Sequence, residues 1–303
     1  MSSHSATDTT LLDADFIEQV HQFSLNVVHA GKGGRLAEQK TSARGQGLEF
    51  ADFKPYVAGD DLRAIDWNIY RRLGRVFVRV FEEQQNLPVY LLLDLSSSMF
   101  VENPSRIAAA KKAAFALSAI ALNQHASVTL IPFSEQLTLA HKPMSGRHQM
   151  MRMAEILTAS SEQQKSSLAK VLSEFANYPL RQGLVVVVSD FFDNDGIEPV
   201  VTALQSIRHR LLLLQVTQPW DAEPQLHPLL TGDVRLQDSE LATHIDVQIT
   251  GSLVKQYQMA YQQFNSKIVQ LAKSRGAGLF TLNASDAVLP QLTQFFADGG
   301  SQL

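Results

Sequence analysis

The chain has no cysteine among its 303 residues. This absence excludes disulfides, thiolate zinc sites and cysteine nucleophiles, and it fits a reducing compartment. An excess of positive charge is also missing, since the net charge is −4 and the isoelectric point is about 6.1. Dedicated nucleic-acid-binding proteins usually have a strongly basic face, so the composition argues against that class.

Long apolar runs are missing as well. Runs such as Leu184–Val188 and Leu211–Leu214 are far too short to cross a bilayer. The first ten residues are polar and rich in Ser and Thr, unlike the apolar segment of a secretory signal. We therefore expect a soluble cytoplasmic protein without a membrane span, and we expect residues 1–10 to form a disordered tail.

Short apolar runs alternate with helical patterns from Pro88 onward, in a chain whose 45% hydrophobic content is ordinary for a globular protein. This alternation predicts an α/β fold with a doubly wound, mainly parallel sheet that helices cover on both faces. We assign residues 88–303 to this domain, with an excursion at about 218–250. Residues 11–87 are assigned to an N-terminal extension that contains one helix and is otherwise β-rich.

The larger domain has five predicted strands and six predicted helices. The strands are Val89–Asp94, Ser127–Phe133, Leu184–Asp190, Leu211–Val216 and Leu279–Leu282. The helices are Ser105–Asn123, His148–Ala159, Ser167–Tyr178, Ile197–His209, Ser252–Arg275 and Ala287–Phe296.

Oxygen-bearing side chains follow predicted strands or enter predicted helices in three places. Asp94, Ser96 and Ser98 come at the end of a strand, where alternate side chains can converge. Ser166 and Ser167 stand at the entry to a helix, and Asp190 ends another strand. In a parallel sheet these strand ends share one edge, so Asp94 and Asp190 can approach each other and would repel without a cation.

Each of these segments has a plainer interpretation, because a Ser-rich loop is more often a turn or a helix cap. Their combination in this order favours a metal site. Carboxylate and hydroxyl oxygens suit a hard divalent cation, so we expect Mg²⁺ before Zn²⁺, with Mn²⁺ or Ca²⁺ as alternatives.

The string Asp94-x-Ser96-x-Ser98-Met99 is similar to the metal-ion-dependent adhesion site (MIDAS) of von Willebrand factor A domains. In that family a Thr on a second loop and an Asp after a later strand complete the site. The resemblance implies Ser166 and Asp190 at these positions. Ser166 stands where the family usually has Thr, and Ser167 is the alternative.

A second resemblance extends over most of the chain. Gly45–Phe50, the string Tyr56–Trp67 and the later segment Gly232–Glu240 resemble the bacterial domain-of-unknown-function family fifty-eight. This resemblance implies a von Willebrand A-like domain with an N-terminal extension. Members are typically encoded beside MoxR-type AAA+ ATPases, so it also implies such an ATPase, or its client, as the partner.

These observations predict a non-enzymatic, metal-dependent module that binds a carboxylate of a partner protein, as an adaptor for a MoxR-type ATPase. One alternative is a metal-dependent phosphohydrolase with Asp94 as nucleophile. The haloacid-dehalogenase-type phosphatases that it would resemble need Asp-x-Asp, and this chain has Ser96 at the second position. The other alternative is a scaffold with a vestigial metal site.

The segment Gly59–Trp67 holds three carboxylates and one arginine. It could form a second acidic site or a docking surface. We favour a turn, with Trp67 packed inward, because Gly and Asp suit turn conformations. The arginines from Arg63 to Arg79 could contact phosphate, but nearby acidic residues favour a solvated, salt-bridged face.

Overall fold

The computed structural model describes residues 12–32, 48–83, 87–101, 104–135, 137, 141–162, 167–227, 232–237 and 244–298. The predicted N-terminal tail and the candidate ligand Ser166 lie outside these residues. The chain forms two compact units, one made of residues 1–33 and 87–303 and the other of residues 34–86.

Helices and strands alternate through the larger unit, and the smaller unit is a strand pair with one helix. The strands are β1 (Leu48–Pro55), β2 (Phe77–Glu83), β3 (Pro88–Asp94), β4 (Ser127–Phe133), β5 (Met144–Ser145), β6 (Leu184–Ser189), β7 (Arg210–Thr217), β8 (Asp233–Gln237), β9 (His244–Gln248) and β10 (Gly278–Asn283). The helices are α1 (Ala14–Lys32), α2 (Trp67–Leu73), α3 (Arg106–Asn123), α4 (Met150–Ala159), α5 (Leu168–Asn177), α6 (Ile197–Ser206), α7 (Pro219–Ala222), α8 (Gly251–Arg275) and α9 (Val288–Ala297).

A six-stranded sheet in the order β10-β7-β6-β3-β4-β5 forms the centre of the larger unit. Its strands pair in parallel, except that the short β5 runs antiparallel to β4. The predicted α/β fold with a mainly parallel sheet is confirmed. Because β3 lies between β6 and β4, its carboxyl end is near the middle of the sheet edge.

The apolar side chains of β3 alternate between two hydrophobic cores. Leu91 and Leu93 belong to the core that α1, α3, α4 and α9 share, whereas Leu92 belongs to the core with α5, α6 and α8. All three leucines are fully buried. A strand buried on both faces explains the continuous apolar run in the sequence, and it leaves polar residues only where the strand ends.

Helix α1 packs against α3 and α9 of the larger unit. Its Val20 and Phe23 are buried in the core that contains Leu91. The predicted N-terminal extension, residues 11–87, includes this helix, whereas the structure places it in the larger unit. The segment predicted as an excursion contains α7 and the antiparallel hairpin β8–β9.

The smaller unit pairs β1 and β2 in antiparallel fashion, with α2 in the connection between them. Asp60 accepts a hydrogen bond from the backbone N–H of Val57 at 3.0 Å, and Asp61 accepts one from Arg63 at 2.9 Å. Asp66 caps α2 by accepting the N–H groups of the second and third helical residues at 2.9 and 3.1 Å. These carboxylates confirm the turn interpretation of this segment.

The prediction that Trp67 packs inward is wrong, because its side chain is 60% exposed. Ile65 and the capping Asp66 are buried at 6% and 8% exposure and take the inward positions. The next residue, at the first position of α2, therefore points outward.

No helix in the described part of the chain is long and apolar enough to cross a membrane.

Gly183 precedes β6 and leaves no room for a side chain. A Cβ atom at this position would lie 2.1 Å from the carbonyl oxygen of Pro88, at the start of β3. We expect Gly183→Ala to lower the free energy of unfolding by about 1–3 kcal/mol or more, because backbone must move to accept the methyl group. Chemical denaturation measures this change. Gly251→Ala, where the added Cβ meets nothing within 4 Å, is the matched control and should not lower the stability. Equal stability of the two variants would contradict the prediction.

Candidate metal site

Asp94 ends β3 at the carboxyl edge of the central sheet, and its side chain is only 1% exposed. Its Oδ1 accepts the backbone N–H of Ser96 at 2.9 Å, and its Oδ2 accepts the hydroxyl of Ser189 at 2.6 Å. Both carboxylate oxygens are therefore held in fixed positions by the ends of two neighbouring strands.

The environment of Asp94 opposes its ionisation. Burial raises the pKa of this carboxyl to about 7, and the charge of Asp190 adds to the increase, while the hydrogen bonds from Ser189 and Ser96 act in the opposite direction. An effect of the Asp190 charge on this carboxyl is what two aspartates at one edge of the sheet would produce. In the protein alone, burial and the neighbouring charge therefore favour the protonated form of the Asp94 carboxyl.

The hydroxyls of Ser96 and Ser98 converge beside this pair, with their Oγ atoms 3.0 Å apart. A 3-10 turn at Ser97–Met99 brings the two hydroxyls together. The side chain of Met99 is fully buried in the core and holds this turn in place. Ser96 is buried, whereas Ser98 is partly accessible. The two hydroxyl oxygens therefore lie close together through a 3-10 turn.

Asp190 follows β6 on a loop with an unusual backbone. Phe191 is fully buried and adopts a left-handed conformation with φ of 64°, which is costly for an aromatic residue. The hydroxyl of Ser189 accepts the N–H of Phe191 at 2.9 Å, and Asp190 Oδ1 accepts the N–H of Phe192 at 3.1 Å. These bonds hold the strained turn and fix the carboxyl of Asp190.

Of the two candidate serines on the second loop, the structure describes Ser167. This residue is partly buried at the N-cap of α5, where its side chain makes no capping bond, and its backbone N–H donates to the carbonyl of Ser134 at 3.2 Å. The cap comes from Asp193, whose Oδ2 accepts the N–H of Ala169 at 3.1 Å. Asp193 thereby joins the loop after β6 to the start of α5.

Arg106 and Asp221 lie beside the serine turn, and sequence analysis missed both. They form an ion pair with 2.5 Å between Arg106 Nη2 and Asp221 Oδ1, and each residue is 5% exposed. Arg106 Nη1 also lies 3.4 Å from the carbonyl oxygen of Ser98. The side chain of Gln218 donates to the carbonyl of Pro104 at 2.7 Å. The loop that bears the serines is thus bound to the segment after β7.

One sequence signal could have revealed Arg106. It is the first residue of α3, where a cation is disfavoured by the helix dipole, so an arginine there calls for a nearby anion. No local pattern points to Asp221, because it lies 115 residues further along the chain.

The donor set fits a hard divalent cation and does not fit zinc. It contains two buried carboxylates and neutral serine hydroxyls, which are the ligand types of Mg²⁺, Mn²⁺ or Ca²⁺. In the residues that the structure describes, no three or more His, Asp or Glu side chains form a group that could hold a metal. The serine oxygens must therefore supply part of any coordination here.

Asp94→Asn should remove a pH-dependent loss of stability. Between about pH 4 and 7 the folded protein keeps the Asp94 proton, whereas the unfolded chain, with an ordinary pKa of 3.8, has released it. Each pH unit in this window thus lowers the free energy of unfolding by up to about 1.4 kcal/mol. Urea unfolding in EDTA at several pH values should show a flatter profile for Asp94→Asn than for the wild type.

The matched control for this experiment is Asp15→Asn, at an exposed position on α1. Its profile should follow that of the wild type. Parallel profiles for the wild type and Asp94→Asn would contradict the assignment of the raised pKa to Asp94.

Arg106→Ala should lower the free energy of unfolding by about 3–5 kcal/mol, because Asp221 would keep its buried charge without the guanidinium that pairs with it. Replacing both residues by apolar ones, as in Arg106→Met with Asp221→Leu, should restore most of the loss. Denaturation of the single and double variants measures both effects. A double variant that is less stable than Arg106→Ala would contradict the pairing.

Two of the known proteins that are similar to this chain in sequence come from mycobacteria. Uncharacterized protein Rv1480 of Mycobacterium tuberculosis is 25% identical over 267 residues, which cover 84% of this chain and 80% of that protein. Uncharacterized protein Mb1516 of Mycobacterium bovis matches with the same figures. Among solved structures, the conserved hypothetical protein BatB from Bacteroides thetaiotaomicron is 14% identical with a TM-score of 0.40, over 70% of this chain and 100% of that one. An aerotolerance-related membrane protein from Bacteroides fragilis is 15% identical with a TM-score of 0.42, over 70% and 99%.

The family described as Protein of unknown function DUF58 matches residues 52–267. This segment includes the smaller unit's α2, the central sheet as far as β7, and the candidate ligands. Since it takes up more than half of the 303 residues, the chain belongs to the DUF58 family.

Proposed function

We propose that the protein is a non-enzymatic, metal-dependent protein-binding module with a von Willebrand A-type domain and a site of the MIDAS kind. The observation that carries this proposal is the burial of Asp94 beside Asp190 at the carboxyl edge of the sheet, next to the converging hydroxyls of Ser96 and Ser98. Two carboxylates at such close quarters are destabilising by themselves and become favourable when they share a cation.

Asp94, Ser96, Ser98 and Asp190 would hold the ion, together with Ser166 or Ser167 from the second loop. When bound, a divalent ion supplies a positive charge that accepts an oxygen from a carboxylate of the partner. Neutral serine ligands keep more of that charge available than further carboxylates would. The hydrogen bonds from Ser189 and from the Ser96 N–H fix the direction of the Asp94 oxygens, so the site needs little rearrangement before it binds.

The geometry favours binding over phosphoryl transfer. Both oxygens of Asp94 accept hydrogen bonds within the protein, and the residue two positions further on is Ser96, which is a poor general acid. A scaffold with a vestigial site is the remaining alternative. It predicts that Mg²⁺ leaves both stability and partner binding unchanged.

The proposed partner is a MoxR-type AAA+ ATPase or one of its clients, in the cytoplasm. This part of the proposal rests on the DUF58 sequence motifs. A protein partner also suits the site, because an Asp or Glu side chain on a protein surface provides the required carboxylate.

Calorimetric titration with Mg²⁺ tests the metal site directly. We expect saturable binding to the wild type, and binding weaker by about tenfold or more when Asp94→Ala and Ser96→Ala are combined. Ser97→Ala changes the buried serine between the two serine ligands and is the matched control. It should keep the wild-type affinity. Absence of any heat or thermal shift with Mg²⁺ and Mn²⁺ would favour the scaffold alternative.

Pull-down of the MoxR-type ATPase from the cell extract of the source organism tests the partner. We expect capture in Mg²⁺, loss in EDTA, and loss with the Asp94→Ala, Ser96→Ala double variant whose fold is verified by circular dichroism. Capture that is unchanged in EDTA and in the double variant would overturn the proposal. Phosphatase assays on the purified protein, with Asp94→Asn as the comparison, separate binding from catalysis.

A further inference from the structure

The acidic residues of the Gly59–Trp67 segment are engaged within the smaller unit. Asp60 pairs with Lys54 at 2.7 Å, Asp61 caps the turn at Leu62–Ala64, and Asp66 caps α2. The large side chains of the same segment that face solvent are apolar. Leu62 and Trp67 are 62% and 60% exposed. The carboxylates therefore stabilise the fold of the segment, and its large apolar side chains are accessible to a partner.

Helix α2 continues this exposed surface. Trp67, Tyr70 and Arg71 lie at positions i, i+3 and i+4, so they share one face of the helix. The rings of Trp67 and Tyr70 contact each other edge to face with centroids 6.1 Å apart. Tyr70 is 44% exposed and Leu73 is 65% exposed. We name the set Trp67, Tyr70, Arg71 and Leu73 the α2 surface.

The α2 surface belongs to a positively charged segment of a chain that is negative overall. Residues 67–75 contain three arginines and no acidic residue, whereas the net charge of the chain is −4. Arg71, Arg72 and Arg75 are all exposed. Among the ion pairs between described side chains, none includes these arginines.

The helix is held firmly at both ends. Asp66 accepts two backbone N–H groups at its start, and Gly74 ends it in the left-handed conformation, with its N–H donating to the carbonyl of Tyr70 at 2.9 Å. The exposed side chains are thus presented on an ordered backbone, which reduces the entropy lost when a partner binds.

We propose that the α2 surface binds an acidic segment of a partner protein that carries apolar side chains among its carboxylates. Tyr, Trp and Arg are the residue types that contribute most energy in protein interfaces. Arginine pairs with carboxylates through two parallel hydrogen bonds, and the exposed rings and Leu73 provide apolar contact area. A seven-residue helix offers little area for insertion into a membrane, and anionic vesicles and RNA are compared directly in the test.

The proposal is independent of the metal site. Its test therefore runs in EDTA, with fluorescence anisotropy of a short labelled peptide composed of Glu, Leu and Phe. We expect binding to the wild-type chain, with affinity lower by about tenfold or more for Trp67→Ala and for Arg71→Glu. Binding should weaken with added salt and should be lost when every Glu of the peptide is replaced by Gln.

Two exposed positions of the larger unit provide matched controls. Tyr178→Ala removes an aromatic ring that is 41% exposed, and Arg152→Glu makes the same change of charge on α4. Both should bind the peptide as the wild type does. Equal loss in these controls, or no binding by the wild type, would overturn the proposal.

Two further measurements decide the class of partner. Vesicles containing phosphatidylglycerol and a single-stranded RNA replace the peptide, and we expect neither to be bound in a way that depends on Trp67 and Arg71. Sedimentation should show that these two variants leave self-association unchanged. Selective binding of vesicles or RNA, or a dimer lost in both variants, would assign the α2 surface to a different partner and overturn the proposal.

Discussion

Repulsion between two buried carboxyl groups is the constraint around which the carboxyl edge of the sheet is organised. Asp94 is almost fully buried, and the charge of Asp190 adds to the burial that raises its pKa to about 7. Such a pair is stable when one member is protonated or when a cation lies between them. The hydrogen bonds from Ser189 and Ser96 reduce the cost without removing it. This residual cost is the physical basis for proposing a divalent ion here.

Side chains from distant parts of the sequence hold this edge together. The buried pair between Arg106 and Asp221 joins the serine turn to the segment after β7, and Asp193 joins the loop after β6 to the start of α5. A buried ion pair rarely adds much net stability, but it specifies which loops lie together. Here it fixes the turn that contains Ser98, so the geometry of the candidate ligands depends on Arg106 and Asp221, which are not candidate ligands themselves.

Aspartate side chains have different roles in the two units, and the difference follows from how deeply each carboxylate is buried. Asp60 and Asp61 in the smaller unit are partly or fully exposed and accept nearby backbone N–H groups, so their charge costs little. Asp94 is buried at the end of β3, and the charge of Asp190 adds to the increase in its pKa. An Asp that accepts the backbone N–H of the residue two positions later thus occurs both at a structural turn and at the candidate metal site.

Hydrophobic periodicity in the sequence was sufficient to predict the parallel sheet and the positions of Asp94, Ser96, Ser98 and Asp190, because strand ends in such a sheet share one edge. It was not sufficient to predict the outward position of Trp67, since Ile65 and Asp66 take the buried positions before α2. The Arg106–Asp221 pair and the strained turn at Phe191 were also out of reach. These features depend on contacts between residues far apart in the chain, or on a backbone conformation that the residue type itself disfavours. The sequence alone therefore determined the sheet and the candidate ligands, and the tertiary structure decided which charges are buried together and which side chains face solvent.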